Sequence, residues 1–314
     1  MKKTNSCILC GSSESIPLYL GSERMFGFGG NFFVKKCSKC SLMFLDPQLS
    51  RSQLKKYYPS KEYYIYNRSA KKGPIEIVRD YLVAHYYSPN FLSFLISAFI
   101  KNVPAMPSYV KNGKILDLGC GTGDTLVLLK KLGWDVYGID MNENAIATGK
   151  KRGLNNLKLG TYKDIDKYPD KFFDAIRLYH VIEHLDDPKL CLNLIRKKLK
   201  KGGELVMGTP NIESLVSKIF KSYWYNLDSP RHLFIFSPLT LRKLTEKNGF
   251  SVKKIEFCSA GGIIGSIQYL INGLFNKRID LIHRFSLIIL FYPLEWILDK
   301  FQTGDVFTIR AYKR

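Results

Sequence analysis

The chain has 314 residues, enough for one large domain or for a core domain with additions. Hydrophobic residues at 46% and aromatics at 13% exclude a globally disordered chain. Lysine and arginine outnumber the acids 48 to 27, and a formal charge of +21 attracts polyanions such as nucleic acid, anionic lipid or phosphorylated compounds. Lysine-rich runs such as RKKLKK at 196–201 are equally compatible with solvated helix ends. No run reaches the roughly 18–20 apolar residues that span a bilayer, and the first residues lack the apolar core of a secretory signal. A reducing, cytoplasmic setting is therefore expected.

Residues 1–48 are rich in glycine, serine, cysteine and aromatics and show no helical period. Four of the seven cysteines form two knuckles, Cys7-x-x-Cys10 and Cys37-x-x-Cys40. Under reducing conditions such knuckles read as a tetrahedral thiolate site for structural zinc rather than as disulfides, since each places two sulfurs on one side of the ion. The stretch FGFGGNFFVKKC (26–37) reads as a hairpin between them. Residues 49–110 are first tyrosine- and lysine-rich, then apolar, and are expected to form a helical linker or lid.

From Lys111 the pattern changes. Strands are expected at 114–118, 135–140, 157–159, 172–179 and 204–210. Helices are expected at 124–133, 142–153 and 188–203. Alternation of this kind builds parallel β-α units and a doubly wound α/β sheet. A helix at 237–250 and strands at 251–259 and 305–313 follow, with an unusually apolar segment at 260–304 between the last two.

The strongest local signal is KILDLGCGTGD (114–124). An apolar strand runs into Gly119-x-Gly121-x-Gly123 and a helix follows. Glycines there allow a tight turn and close approach of a ligand to the backbone. The helix N-terminus offers free N–H groups to an anionic group. The third glycine comes one residue earlier than in the nicotinamide fingerprint. Asp117 stands where a carboxylate could meet a ligand ammonium, and Asp140 ends the next strand, where it can accept both hydroxyls of a ribose.

These residues, with VYGIDMN (136–142) and FFDAIRLYHVIEHLDDP (172–188), resemble the class I S-adenosylmethionine-dependent methyltransferases. The resemblance covers residues 111–259 and the final strand. It implies a seven-stranded Rossmann-like sheet with its last strand antiparallel and a glycine turn near the methionine part of the cofactor. It also implies that Asp140 holds the ribose and Met141 packs on adenine. Asp164 is the nearest candidate for the acid that relatives place after their third strand. The N-terminal half-motif CSKCSLMFLDP (37–47) is similar to the zinc module of some methyltransferases, and tyrosines of YYPSKEYY (57–64) lie over the cofactor in similar proteins.

His180-Val-Ile-Glu183-His184 also matches the inverted zinc-protease pattern H-x-x-E-H. That reading requires one helix carrying both histidines, and Asp186, Asp187 and Pro188 place the helix start after His184. His180 instead belongs at the carboxyl end of a buried strand, where doubly wound folds bind ligands, and the resemblance, in which a similar stretch lies beside the methyl group, implies that His180 contacts the cofactor or the acceptor. A base of near-neutral pKa suits methyl transfer to oxygen or nitrogen. His180, His184 and His232 are the catalytic candidates, and Glu183 and Arg231 stand beside them. Tyr223, Trp224 and Tyr225 are candidates for a pocket wall. The SPRHLFIFSP stretch (229–238) resembles methyltransferases of surface-polysaccharide and small-molecule pathways, in which this loop covers the acceptor.

The expected acceptor is a small molecule: a free, nucleotide-linked or lipid-linked sugar, or a hydroxylated metabolite. Methylation of nucleic acid is the less favoured alternative, since no Asn/Asp-Pro-Pro-Tyr motif is present. Residues 260–304 read as a cap, a dimer face or an element lying on a membrane surface, and Lys277, Arg278 and Arg284 favour anionic lipid. The protein would then be cytoplasmic, with peripheral contact at the inner face of the membrane. A non-catalytic membrane-surface protein keeping the same fold is a further alternative. Oligomeric state is left open.

Overall fold

The computed structural model describes residues 6–59, 74–99, 105–259 and 261–314. Residues 60–64 of the expected tyrosine lid lie outside these. Two sheets organise the chain. The larger has seven strands in the order β10 (Phe250–Phe257), β11 (Val306–Lys313), β8 (Leu199–Pro210), β7 (Phe173–Tyr179), β4 (Lys114–Leu118), β5 (Asp135–Asp140) and β6 (Leu157–Leu159). The pairs β8–β7, β7–β4, β4–β5 and β5–β6 are parallel, and β11 runs antiparallel to both of its neighbours. This is the seven-stranded Rossmann-like α/β sheet anticipated above.

Its central strands are nearly continuous apolar runs because helices cover both faces. Ile115, Leu116, Ile176, Leu178, Leu205 and Met207 are fully buried. Helices α4 (Asp124–Lys131), α5 (Glu143–Lys151), α6 (Pro188–Lys198) and α8 (Pro238–Lys247) follow their strands. Each start is written locally. Asn142 accepts from the Ala145 N–H. Asp187 accepts from the Leu190 N–H just ahead of Pro188. Ser237 and Thr240 cap one another. These caps satisfy donors that a helix start leaves unpaired.

One boundary differs from expectation. The helix expected to reach residue 203 ends at Lys198, and strand β8 begins at Leu199. Leu199 is fully buried and pairs with Phe173 where the interior strands β7 and β8 begin, so burial overrides the helix propensity of the LKK run.

The smaller sheet has the order β1 (Ser15–Ser22), β2 (Asn31–Cys37), β3 (Met43–Leu45) and β9 (Phe234–Ile235). The expected 26–37 hairpin is thus wider, with strands at 15–22 and 31–37 around a turn. The turn is held by Glu23, whose carboxylate accepts from the N–H groups of Met25, Phe26 and Phe28 at 3.0, 3.0 and 2.9 Å. Strand β9 comes from the loop after β8, so the N-terminal residues are stitched into the rest of the chain. Cys7, Leu9, Leu42 and Phe44 share one core with Ile182, Phe234 and Phe236.

Residues 49–110 contribute α1 (Arg51–Leu54), α2 (Pro74–Ala84) and α3 (Phe91–Phe99). After the short α7 (Leu215–Phe220), the segment between β10 and β11 forms two helices, α9 (Gly262–Phe275) and α10 (Phe285–Lys300). The Glu295 carboxylate accepts from the Gly261 and Ile263 N–H groups and so caps α9 from α10. No helix among the described residues is long and apolar enough to cross a membrane.

Truncating Phe234, which is buried where the two sheets meet, is expected to cost about 3–5 kcal/mol. Urea unfolding of Phe234→Ala measures this, and a midpoint unchanged from that of the parent chain would show that the junction carries no stability.

Candidate functional site

The site lies at the carboxyl edge of the large sheet, where β4, β5 and β7 end side by side. The three glycines of the first turn all have positive φ, at 73°, 54° and 77°. Two of them are crowded by side chains, Gly123 by Leu154 and Gly119 by Val181. An added Cβ would sit 2.4 Å from Cγ2 of Val181, so the turn after β4 and the turn after β7 touch only because no side chain intervenes. Gly119 N–H donates to the Ile139 carbonyl at 2.8 Å, which ties the turn to the end of β5.

Asp140 closes β5 with its carboxylate braced by backbone. Oδ2 accepts from the Gly121 N–H and Oδ1 from the Asn142 N–H, both at 2.8 Å. Burial pushes its carboxyl up, and these N–H groups pull it down; the net direction is upward. Met141 follows and is 58% exposed.

Two of the expected ligand residues are committed elsewhere. Asp117 is buried, and its two oxygens accept from Arg177 Nη1 at 2.9 and 3.0 Å. Arg177 Nε donates in turn to the Ala105 carbonyl at 3.1 Å. The carboxylate is therefore closed in a buried ion pair rather than presented to an ammonium. Asp164 caps the 3-10 turn at 162–167. It accepts from the Thr161 N–H at 2.8 Å and pairs with Lys167 at 2.7 Å. Lys167 holds its carboxyl below the usual range.

The H-x-x-E-H stretch is not helical as a whole. His180 follows β7 with φ at 54°, unusual for a residue with a Cβ, and its N–H donates to the Gly208 carbonyl at 2.9 Å. Residues 182–184 make a 3-10 turn, and α6 begins only at Pro188. The protease reading is excluded on this geometry. Backbone outliers of this kind collect at functional sites.

The turn gathers three histidines around one acid. His180 keeps 34% of its side chain exposed, and its Nδ1 lies 3.3 Å from Glu183 Oε1. Glu183 is 1% exposed, and neither carboxylate oxygen has a hydrogen bond of good geometry among the described residues. Burial acts to raise its carboxyl, but the surrounding imidazoles outweigh it and hold it at about 2. His232 arrives from the loop before β9. Its Nδ1 meets the Asn226 carbonyl at 2.9 Å, and its Nε2 lies 3.9 Å from Glu183 Oε1 and 3.7 Å from Asp228 Oδ2. Burial, with His184 nearby, lowers its pKa to about 4, so it is neutral at pH 7. The rings of His184 and His232 are 4.6 Å apart. His184 Nδ1 lies 3.0 Å from both the Arg231 carbonyl and the Tyr58 hydroxyl.

Arg231, noticed in the sequence only as a neighbour of His232, is the anchor of this cluster. Its side chain is fully buried, reaches Glu23 Oε1 at 3.2 Å, pairs with Asp228, and donates to the Tyr57 carbonyl at 3.0 Å. Of the aromatic trio, only Trp224 departs from its expected role, and Tyr223 and Tyr225 are half-buried. Trp224 is core, its Nε1 donating to Asp305 Oδ1 at 2.6 Å, and Tyr225 packs on Tyr269.

The four knuckle cysteines also converge. Cys7 and Cys40 sulfurs are 3.4 Å apart, and Cys10 and Cys37 sulfurs 3.5 Å apart. All four lie within 4.8 Å of one another, a fit to a tetrahedral ion. Burial pushes the Cys7 and Cys40 thiols up, whereas at Cys37 burial is outweighed by the Cys40 and Lys39 N–H groups and neighbouring thiols, which bring it down to about 7.

A methyltransferase-domain family model matches residues 91–255. Among curated proteins, the chain is 26% identical over 189 residues to a ubiquinone biosynthesis O-methyltransferase of Pelagibacter ubique, covering 55% of this chain and 76% of that one. It spans 54% of the length of the corresponding Coxiella burnetii protein. Among solved structures, an Archaeoglobus fulgidus SAM-dependent methyltransferase shares 25% identity at a TM-score of 0.48, over 74% of this chain and 99% of that one. The [4+2]-cyclase SpnF shares 16% identity at a TM-score of 0.50, over 85% and 97%, a likeness of fold alone.

Replacing Asp117 by Asn strands the Arg177 charge, and removing one partner of a buried pair costs roughly 3–5 kcal/mol. Denaturant unfolding should show that loss in Asp117→Asn and recovery of much of it in the Asp117→Leu, Arg177→Met double variant. A cheap Asp117→Asn, combined with weakened cofactor binding, would return Asp117 to the ligand site.

Proposed function

This chain belongs to the methyltransferase-domain family and is an S-adenosylmethionine-dependent methyltransferase, and we propose that it methylates a hydroxyl of a small acceptor, with a sugar as the preferred class. The observation that carries the proposal is the cluster at 180–184. A histidine in a left-handed backbone conformation stands over a buried carboxylate, within a turn that touches the glycine turn through Val181 and Gly119.

In this reading Asp140 accepts the ribose hydroxyls and Met141 packs on adenine, while Gly119, Gly121 and Gly123 let the methionine part approach the backbone. Asp164 contributes by shaping the loop after β6. His180 is the proton acceptor, since among the three histidines it is the one whose ring combines exposure with a carboxylate partner. The acceptor oxygen attacks the methyl carbon in line, the sulfur–carbon bond breaks with its electron pair left on sulfur, and the hydroxyl proton passes to His180. Glu183 orients that ring and stabilises its charged form. His184 and the buried His232 position the acceptor.

Cys7, Cys10, Cys37 and Cys40 would hold a structural zinc whose binding helps to fold residues 6–48. The exposed apolar residues Leu274, Phe275, Ile289, Leu290 and Leu294, with exposed Lys277, Arg278 and Arg284, support peripheral contact with anionic lipid and therefore a lipid-linked sugar as acceptor.

Asp140→Ala should weaken cofactor binding at least tenfold by calorimetry. His180→Ala should leave cofactor affinity within about twofold and lower kcat by 10²–10⁴-fold, the range of general-base catalysis. Unchanged binding in the first variant overturns the cofactor assignment, and an unchanged kcat in the second removes His180 from the chemistry. The acceptor class is tested by screening methyl transfer to nucleotide sugars and polyprenyl-linked sugars. Transfer to RNA in place of every sugar would overturn it.

A further inference from the structure

We propose that Glu183, His184 and His232 bind a divalent metal ion of the kind that accepts mixed imidazole and carboxylate ligands, such as zinc, manganese or cobalt, with a coordination position left for the acceptor hydroxyl. One ligand atom from each residue lies within 4.8 Å of the other two. An ion about 2.1 Å from each donor sets donor separations of roughly 3–4 Å, and His232 Nε2 already stands 3.9 Å from Glu183 Oε1.

The second observation is the hydrogen-bond pattern behind the ligands. A carbonyl oxygen can only accept, so His232 Nδ1 carries the hydrogen that meets Asn226, and His184 Nδ1, with the Tyr58 hydroxyl also 3.0 Å away, carries the one that meets Arg231. In both rings Nε2 is then the nitrogen with a free lone pair. A second-ring hydrogen bond of this kind fixes metal-ligating histidines. Beside these rings sits a carboxylate that is 1% exposed and has no properly formed hydrogen bond to either oxygen among the described residues. His180 Nδ1 stands 3.3 Å from Oε1 without completing that bond, and a buried anion left in that state is costly unless something positive completes it. Arg231 is directed at Asp228 and Glu23 instead. Two imidazoles and one carboxylate with an open position form a set used for divalent first-row ions.

The ion's role rests on the acceptor-side reading above, whereas its binding does not. Bound there, it would lower the pKa of an acceptor hydroxyl. That hydroxyl's proton would pass to His180, the oxygen–methyl bond would form, and the sulfur–methyl bond would break onto sulfur. The donors are imidazole and carboxylate, unlike the thiolates at the N-terminal knuckles, so the two sites are separable by spectrum.

The test is cobalt(II) titration of the full chain after mild chelation that spares the thiolate site. The expected result is one added equivalent with weak visible d–d bands and no thiolate-to-cobalt charge transfer. Glu183→Gln and His232→Gln should each weaken it at least tenfold while S-adenosylmethionine affinity, the check on folding, stays within twofold. No added equivalent, or an equivalent indifferent to both variants, overturns the metal site. If His180→Ala still abolishes methyl transfer in that case, the acceptor-side reading stands without the ion.

Discussion

A single buried guanidinium holds the site together. Arg231 is fully enclosed and binds Glu23 from the turn of the N-terminal sheet, Asp228 from its own loop, and the Tyr57 carbonyl at the edge of the lid region. Its own carbonyl takes His184, and the next residue is His232. Three separate stretches of chain therefore meet at one side chain, and the histidine pair is positioned as a by-product. Because the arginine is always charged and presents a rigid fork, it can satisfy two acids and a carbonyl at once, which lysine could not. This ties the small sheet to the histidine cluster rather than leaving it an appendage. Strand β9 completes that sheet three residues after Arg231.

The other buried charges follow the same logic. Arg177 closes Asp117 inside the sheet. Glu295 and Asp299 of α10 accept from Gly261, Ile263 and Ser259, so the apolar helical insertion is attached by carboxylates and not only by its greasy face. Asp305, at the start of β11, accepts from Ser214, Trp224 and Asn226, and Asn226 in turn receives His232. The insertion, the loop after β8 and the histidine cluster are thus one hydrogen-bonded body.

Much of the fold was legible in the sequence because its signals are local. Apolar runs alternate with capped amphipathic stretches, and the positive φ values fall on glycines at 119, 121 and 123. Asp140 was legible for the same reason, being set by its place at the end of a strand. What escaped was long-range pairing. Glu23 and Arg231 are far apart in sequence, as are Glu183 and His232, and nothing in either neighbourhood names the other. Asp117 was assigned to a ligand from its spacing to the glycines. The signal that could have corrected this was Arg177, a lone cation in an otherwise apolar stretch of a buried strand, which requires an anion on the neighbouring strand. Helix propensity misled at 199–203, where a buried leucine pairing between two interior strands prevailed.

The central claim is that the carboxyl edge of the large sheet places a sulfonium methyl in front of His180 and Glu183. A crystal structure with S-adenosylhomocysteine and an acceptor analogue tests it most directly. The prediction is a ribose held by Asp140, a sulfur over the Gly119–Gly123 turn, and an acceptor hydroxyl between that sulfur and His180. A cofactor bound with its sulfur turned away from residues 180–184, or an acceptor seated elsewhere, would contradict the claim.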